Sequence, residues 1–257
     1  MIDLHCHVLP GIDDGPGTLE GSLALARAAA AAGTRTLVAT PHVSPRYFND
    51  ADTIARLVGE LNTAIAAEGL ELQVLAGAEI AASRVADLAE QELSRLALGA
   101  SSWLLVECPL ALSASSFDTI VLYLKERGHR VVLAHPERSP MFQRDPQLLS
   151  TLVEAGMLAS ITAGALVGSF GRDVQRFAQR LARDGLVHNV ASDAHDHVQR
   201  PPTIAPEIDA SGLGALAGWL TQDVPAAILS GAEIPPRPQA ELDAPAGRGL
   251  RWFSRGR

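Results

Sequence analysis

Apolar residues recur along this chain in two alternating rhythms. Short β-rich runs read as strands, and longer stretches with apolar residues three and four apart read as helices. The pattern predicts strands at Ile2–His5, Arg35–Thr40, Leu72–Ala76, Ser102–Glu107, Arg130–Ala134, Leu158–Thr162 and Leu186–Ser192. Between and after them it predicts helices at Thr18–Ala32, Asp52–Glu68, around Val85–Leu96, Ser116–Arg127, Asp145–Ala155 and Arg172–Asp184, with helical pieces around Ile204–Leu220 and Pro225–Leu229. Punctuation agrees with these bounds. Thr18 and Asp52 are placed to cap, Pro146 suits a first turn, and Gly33, Gly69, Gly128 and Gly185 fall just past helix ends. Pro41 and Pro109 stop the second and fourth strands. Strand–helix alternation repeated about seven times implies an α/β fold with a parallel sheet, open or closed into a barrel.

No repeat or composition break divides residues 1–235, which are expected to form one domain. From Pro235 the chain turns to Pro, Gly and Arg, so 236–257 is expected to be an irregular or mobile tail unless Trp252 and Phe253 dock it. At 257 residues and 47% apolar content there is ample material for a core, and 4% aromatics with abundant alanine favours close-packed helices over a β-sandwich. The net charge of −8 argues against a nucleic-acid-coating surface. Cys6 and Cys108 both lie in apolar runs, which reads as reduced core thiols in a cytoplasmic protein rather than a disulfide framework. No run suits an integral membrane segment, since Ser22–Gly33 is interrupted by Arg27, and polar chemistry beginning at His5 leaves no room for a removable signal peptide.

Candidate chemistry sits where the strands end. Residues two apart in an extended chain face the same way, so His5 and His7 point together while Cys6 turns away. An Asp13-Asp14-Gly-Pro turn follows, and His42, Glu79, Glu107, His135, Asp193 and His195 lie at later strand ends. Each alone has an ordinary reading: a solvated histidine pair, a hydrogen-bonded loop histidine, a satisfied rim carboxylate. Together, five imidazoles and four carboxylates on one rim would repel and shift one another unless cations neutralised them. Mixed His/Asp/Glu ligation suits zinc, manganese or iron rather than calcium, and the absence of thiolate ligands argues for a catalytic multinuclear site over a structural zinc site.

Those motifs, His5-x-His7, Asp14-Gly-Pro, Ala-Thr-Pro-His42, Gly-x-Glu79, Leu-Leu-Val-Glu107, Ala-His135-Pro-Glu-Arg138 and Ser-Asp193-Ala-His195, follow in order those of the PHP (polymerase and histidinol phosphatase) superfamily, which the chain resembles to about Pro235. Asp-Asp-Gly-Pro and Ala-His-Pro-Glu-Arg resemble in particular the bacterial manganese-dependent tyrosine-protein phosphatases of capsule and exopolysaccharide synthesis. The resemblance implies a distorted (β/α)7 barrel of TIM-like type holding three divalent metals, manganese first, with iron or zinc as alternatives. Carried over by position, His5, His7, Glu79 and Asp193 would hold the first metal. Glu79 would bridge to a second held also by Glu107 and His135, and Asp14, His42 and His195 would hold the third. Val43 departs from relatives that carry a second histidine there, which is expected to alter the pocket wall only.

The implied reaction is phosphomonoester hydrolysis by a metal-bridging hydroxide, with arginines neutralising phosphoryl oxygens. Arg138 and Arg200, each a few residues beyond a ligand, are the candidates; an ion pair to an acidic ligand is their ordinary reading. Tyrosine, with a pKa of about 10, leaves readily, and His42 or a metal-bound water would donate its proton. The expected substrate is a phosphotyrosine protein, a tyrosine autokinase of polysaccharide export. A small monoester such as histidinol phosphate, and a non-catalytic metal-bound regulatory domain, are the alternatives. Neither cysteine has the arginine-closed phosphate loop of a cysteine phosphatase. His129 and His188 read as structural, His197 as a pocket residue, and Tyr47 and Phe48 as aromatics able to pack on a substrate ring. The tail arginines Arg248, Arg251, Arg255 and Arg257 read as solvated or as touching an anionic partner.

Overall fold

The computed structural model describes residues 1–110 and 116–242. The tail arginines, Trp252 and Phe253 lie outside the described residues. Among the described residues nine strands form: β1 (Ile2–Cys6), β2 (Thr36–Ala39), β3 (His42–Val43), β4 (Gln73–Ala76), β5 (Glu79–Ala81), β6 (Trp103–Glu107), β7 (Arg130–Ala134), β8 (Leu158–Thr162) and β9 (Asn189–Ala191). Every ladder is parallel, in the orders β1-β2-β4 and β3-β5-β6-β7-β8-β9.

Two expected strands, Arg35–Thr40 and Leu72–Ala76, form as β2 and β4, and each is followed by a short further strand, β3 and β5, that was not expected. Pro41, which has no N–H to give a ladder, separates β2 from β3. Gly77-Ala78 separates β4 from β5, and Gly77 is dictated by close approach, because a Cβ there would stand 2.8 Å from Val38 Cγ1. Counting each such pair as one, seven strands succeed one another in chain order around a distorted ring. Its last seam, β9 to β1, is joined by a single parallel bridge between Cys6 and Ala194 instead of a continuous ladder. His7 N donates to Ala194 O at 2.9 Å and Asp193 N to His5 O at 2.9 Å across it.

Helices α1 (Leu19–Ala31), α2 (Ala51–Ala67), α3 (Glu90–Arg95), α4 (Phe117–Glu126), α5 (Pro140–Arg144), α6 (Pro146–Glu154), α7 (Ala163–Val167), α8 (Arg172–Arg183), α9 (Ala205–Ala210) and α10 (Val224–Ser230) connect and follow the strands. Helix α2 shows why they pack. Ile54, Leu57, Val58, Leu61 and Ile65 recur on one buried face, and truncating Leu61 to alanine there would cost about 2–5 kcal/mol. Strands β6, β7 and β8 are buried almost throughout, as parallel strands covered on both faces are.

Several expectations are corrected. The cap of α2 is Asp50, whose side chain accepts from Thr53 N at 2.7 Å, and Asp52 lies inside the first turn. The reason is the extended backbone of Asp50, which turns its carboxylate back over the helix end. Thr18 caps α1 as expected. The Val85–Leu96 helix is a 3-10 segment, Ala82–Asp87, followed by α3. The last strand is shortened to Asn189–Ala191. Helix α7 begins directly after β8, where the apolar Ala163-Gly-Ala-Leu-Val gives no polar break to announce it. Residues beyond Pro235 dock at their start: Trp219 Nε1 donates to Pro235 O and Arg237 to Ala182 O. Among the described residues, no helix is long and apolar enough to cross a membrane.

Candidate metal centre

All nine ligand-type residues anticipated from the sequence meet at the carboxyl rim. Strand β1 supplies His5, and His7 follows just past its end, with their Nε2 atoms 3.2 Å apart. Parallel pairing sets Glu79 of β5 beside His42 of β3, and β6, β7 and β9 deliver Glu107, His135 and Asp193. Glu79 is central. Its Oε1 lies 2.6 Å from His135 Nε2, and its Oε2 lies 3.0 Å from His42 Nδ1 and 3.5 Å from Nε2 of both His5 and His7. Asp193 Oδ1 stands 3.5 Å from the same two Nε2 atoms. Across the rim, Asp14 Oδ1 is 3.3 Å from His195 Nε2 and 3.5 Å from His42 Nε2.

These contacts resolve into four overlapping sets: His5, His7, Asp193; His5, Glu79, His135; His42, Glu79, Glu107; and His7, Asp14, His42, His195. Glu107 therefore groups with His42 and Glu79, and His135 with His5 and Glu79, where the resemblance joined Glu107 to His135. Two observations fit the rim to divalent cations. Glu79 Oε2 is buried at the focus yet has no hydrogen-bond partner among the described residues. The donors are imidazole and carboxylate without thiolate, the set that zinc, manganese and iron accept.

Electrostatics point the same way. Burial raises the carboxyls of Glu79 and Asp193, but the imidazoles around them outweigh it and hold both well below the usual carboxylate range. Burial, with the charge of Glu79, pushes Glu107 up to about 7. The hydrogen bond from His195 holds Asp14 low. Burial alone would lower His7, yet the Asp13, Asp193 and Glu79 carboxylates beside it raise it well above the ordinary imidazole value. Backbone strain marks the same place: His135 (φ 38°) and Asp193 (φ 51°) adopt left-handed conformations one and two residues beyond their strands.

Arg138 Nη1 donates to Asp193 Oδ2 at 2.7 Å and its guanidinium lies 4.5 Å above the Phe170 ring. Arg200 Nη2 donates to the same Oδ2 at 2.6 Å and to Asp193 O at 3.1 Å. Both arginines thus border the rim through one carboxylate oxygen. Tyr47 stacks on His42, with ring planes 8° apart, while the Phe48 ring is 71% exposed and packs under Arg84. His129 pairs with Glu90 away from the rim, His188 accepts from Ala159 N, and His197 is exposed. Cys6 and Cys108 are buried, and burial pushes both thiols far up, so neither offers a thiolate.

Three carboxylates that hold the rim escaped the sequence reading of roles. Asp13 Oδ2 lies 2.7 Å from His7 Nδ1. Asp3, on the polar face of β1 with His5, accepts from His5 N, Ser192 N and Ser192 Oγ. Glu137 accepts from Thr162 N, and burial pushes it up to about 7. The period-two alternation of β1 contained the signal for Asp3; Asp13 was visible only as the neighbour of Asp14.

A ring of parallel strands with imidazoles and carboxylates gathered on its carboxyl rim defines a class, the β/α proteins with a rim able to hold divalent cations. Within it, the chain belongs to the family described as capsular polysaccharide synthesis, CpsB/CapC, whose sequence profile matches residues 1–210. It is 38% identical over 200 residues to the tyrosine-protein phosphatase YwqE of Bacillus subtilis, covering 76% of this chain and 78% of that one. It is 29% identical over 213 residues to the tyrosine-protein phosphatase CpsB of Streptococcus agalactiae, covering 80% and 87%. Among solved structures, one from the work on YwqE of Bacillus subtilis and CpsB of Streptococcus pneumoniae, described as unique metal-dependent tyrosine phosphatases, superposes with a TM-score of 0.80 at 32% identity, over 94% of this chain and 100% of that one. Dihydropyrimidinase from Brevibacillus agri superposes at 0.58 with 12% identity, covering 95% of this chain and 73% of the other, a likeness of fold alone.

Proposed function

We propose that this chain is a metal-dependent phosphatase that hydrolyses phosphotyrosine on proteins, with a tyrosine autokinase of polysaccharide export as its substrate in the cytoplasm. The observation that carries the reading is the gathering around Glu79 of His5, His7, His42, His135 and Glu107, with Asp193, Asp14 and His195 in the adjoining sets and two guanidinium groups at the edge. Kinship with YwqE and CpsB supplies the substrate class. We read the rim as a site for three divalent ions, manganese first: one on His5, His7 and Asp193, one on Asp14, His42 and His195, and one on Glu79, which forms separate sets with His5 and His135 and with His42 and Glu107. Such ions, when bound, supply Lewis-acid charge and an acidified water to phosphoryl chemistry.

The chain's own residues do the rest. Arg138 and Arg200, held by Asp193 and by the face of Phe170, grip the equatorial phosphoryl oxygens and set the ester in line. Both ring nitrogens of His42 face carboxylates, at 3.0 Å from Glu79 and 3.5 Å from Asp14. That geometry favours His42 as a metal holder over His42 as the acid, with the phenolate, a good leaving group, taking its proton from water. Buried unpaired thiols fit a reducing compartment.

The test is turnover by manganese-loaded protein of three substrates: a phosphotyrosyl peptide, the matching phosphoseryl peptide and histidinol phosphate. Hydrolysis of the phosphotyrosyl peptide above the other two, abolished by EDTA and restored by manganese, is expected. Preference for histidinol phosphate, or no turnover of any ester after reloading, overturns the proposal.

A further inference from the structure

His7 lies within reach of two different ligand sets. It stands with His5 and Asp193 in one and with Asp14, His42 and His195 in the other. Its two ring nitrogens point at these alternatives: Nε2 is 3.2 Å from His5 Nε2 and 3.5 Å from Asp193 Oδ1, while Nδ1 is 4.0 Å from Asp14 Oδ1. A neutral imidazole has one lone pair and one N–H, so whichever nitrogen carries the proton is removed from ligation.

Asp13 decides that question. Its Oδ2 sits 2.7 Å from His7 Nδ1 with a side chain 1% exposed. The carboxylate is itself clamped, accepting from His42 N at 3.1 Å through Oδ2 and from Gly15 N at 2.9 Å through Oδ1. Gly15 makes the clamp possible, since a Cβ at that position would stand 2.2 Å from His7 O. The turn is thereby pressed against the backbone of the histidine it orients. The adjacent Asp14 swings outward, half-exposed, toward His195 and His42. Two neighbouring aspartates thus divide the work between support and ligation.

We infer that Asp13 is a positioning residue that fixes the proton on His7 Nδ1. It thereby commits Nε2 to the set of His5 and Asp193 and keeps His7 out of the set of Asp14, His42 and His195. Because the same carboxylate holds the His42 backbone, it also ties the two sets to one loop. The inference rests on the metal-centre reading above. Carboxylates that orient ligating histidines in this way are worth about 10–100-fold in metal affinity.

The experiment uses the full chain loaded with zinc, a diamagnetic probe, and reads the imidazole nitrogens by 15N–1H correlation NMR alongside zinc affinity by chelator competition. In the wild type, His7 is expected to carry its proton on Nδ1. Asp13→Asn, which keeps an acceptor oxygen, is expected to retain that tautomer. Asp13→Ala is expected to lose it and to bind zinc about 10–100-fold more weakly. A wild-type His7 protonated on Nε2 overturns the inference, whether or not Asp13→Ala folds. So does an Asp13→Ala protein with unchanged tautomer and affinity. Failure of the wild type to bind zinc overturns the metal-centre reading itself.

Discussion

Removing the two rim arginines separates gripping phosphate from steadying a ligand. Arg138 and Arg200 reach the same atom, Asp193 Oδ2, at 2.7 Å and 2.6 Å, with side chains 18% and 33% exposed. Among the described residues, no hydrogen bond engages Nε or Nη2 of Arg138, or Nε or Nη1 of Arg200, so both retain donors for an anion. A hydrogen bond from a guanidinium to phosphate contributes about 1.5–3 kcal/mol, which at tenfold per 1.4 kcal/mol is about 10–100-fold in kcat/KM for each single alanine variant. Since both donate to one oxygen, the losses should couple, and the Arg138→Ala, Arg200→Ala pair should cost less than the product of the singles. Manganese content should hold, because Asp193 Oδ1, on the other side of the carboxylate, still faces His5 and His7. The assay is kcat and KM on a phosphotyrosyl peptide with metal analysis of the same samples. If activity falls only in step with manganese, the arginines serve Asp193 and the phosphate grip is refuted.

Two further outcomes follow from single residues. Gly15→Ala must displace a loop from a contact of 2.2 Å with His7 O, so the melting temperature should drop by the equivalent of about 1–3 kcal/mol and an unchanged melting curve would contradict the close approach. His188 concerns pH: burial lowers its imidazolium to about 4, against about 6.5 unfolded, so the unfolded chain binds the extra proton between these values. Its stability contribution is therefore complete above about pH 6.5 and lost by about 3 kcal/mol on descent to about pH 4. Glu107 and Glu137, both raised to about 7, gain stability over part of the same descent, so the effect must be read as a difference. Urea unfolding of metal-free wild type minus His188→Asn, whose Oδ1 still accepts from Ala159 N, isolates it; a difference flat with pH contradicts the buried neutral ring.

The parts that were legible in the sequence are those governed by local rules. Period-two alternation put His5 and His7 on one side of the chain where β1 ends, and parallel topology put the candidate ligands from His42 onward at strand ends, so nine candidates were foreseeable before any fold was known. Partnerships were not. Whether Glu107 faces His135 or His42 depends on the register of β5 against β6, where Ala81 pairs with Glu107, and no spacing along the chain encodes that. Nor did the pattern separate Asp13 from Asp14. Two adjacent acidic residues in a turn look alike until Gly15 presses the backbone onto His7 and only one carboxylate can reach inward. Helix α7 and the short strands β3 and β5 were missed for a related reason, since they answer to packing across the ring rather than to propensity nearby.

The β9–β1 seam explains why this ring closes with side chains where other strands use ladders. To bring Asp193 to 3.5 Å from both His5 and His7, the chain turns left-handed at φ 51° just beyond β9, which ends regular pairing and costs about 1–2 kcal/mol. Backbone donors freed there would be buried without partners. Asp3 takes them: its carboxylate accepts from His5 N at 3.3 Å and Ser192 N at 3.1 Å, and Ser192 Oγ donates to it at 2.6 Å. Burial pushes the Asp3 carboxyl up, and the Ser192 bonds pull it only part of the way back, so its ionised form keeps a residual desolvation cost. The β6–β7–β8 core, buried on both faces, offsets both costs. The rim is therefore held in a shape that no local preference favours, with His5 and His7, at the end of β1, brought against Asp193.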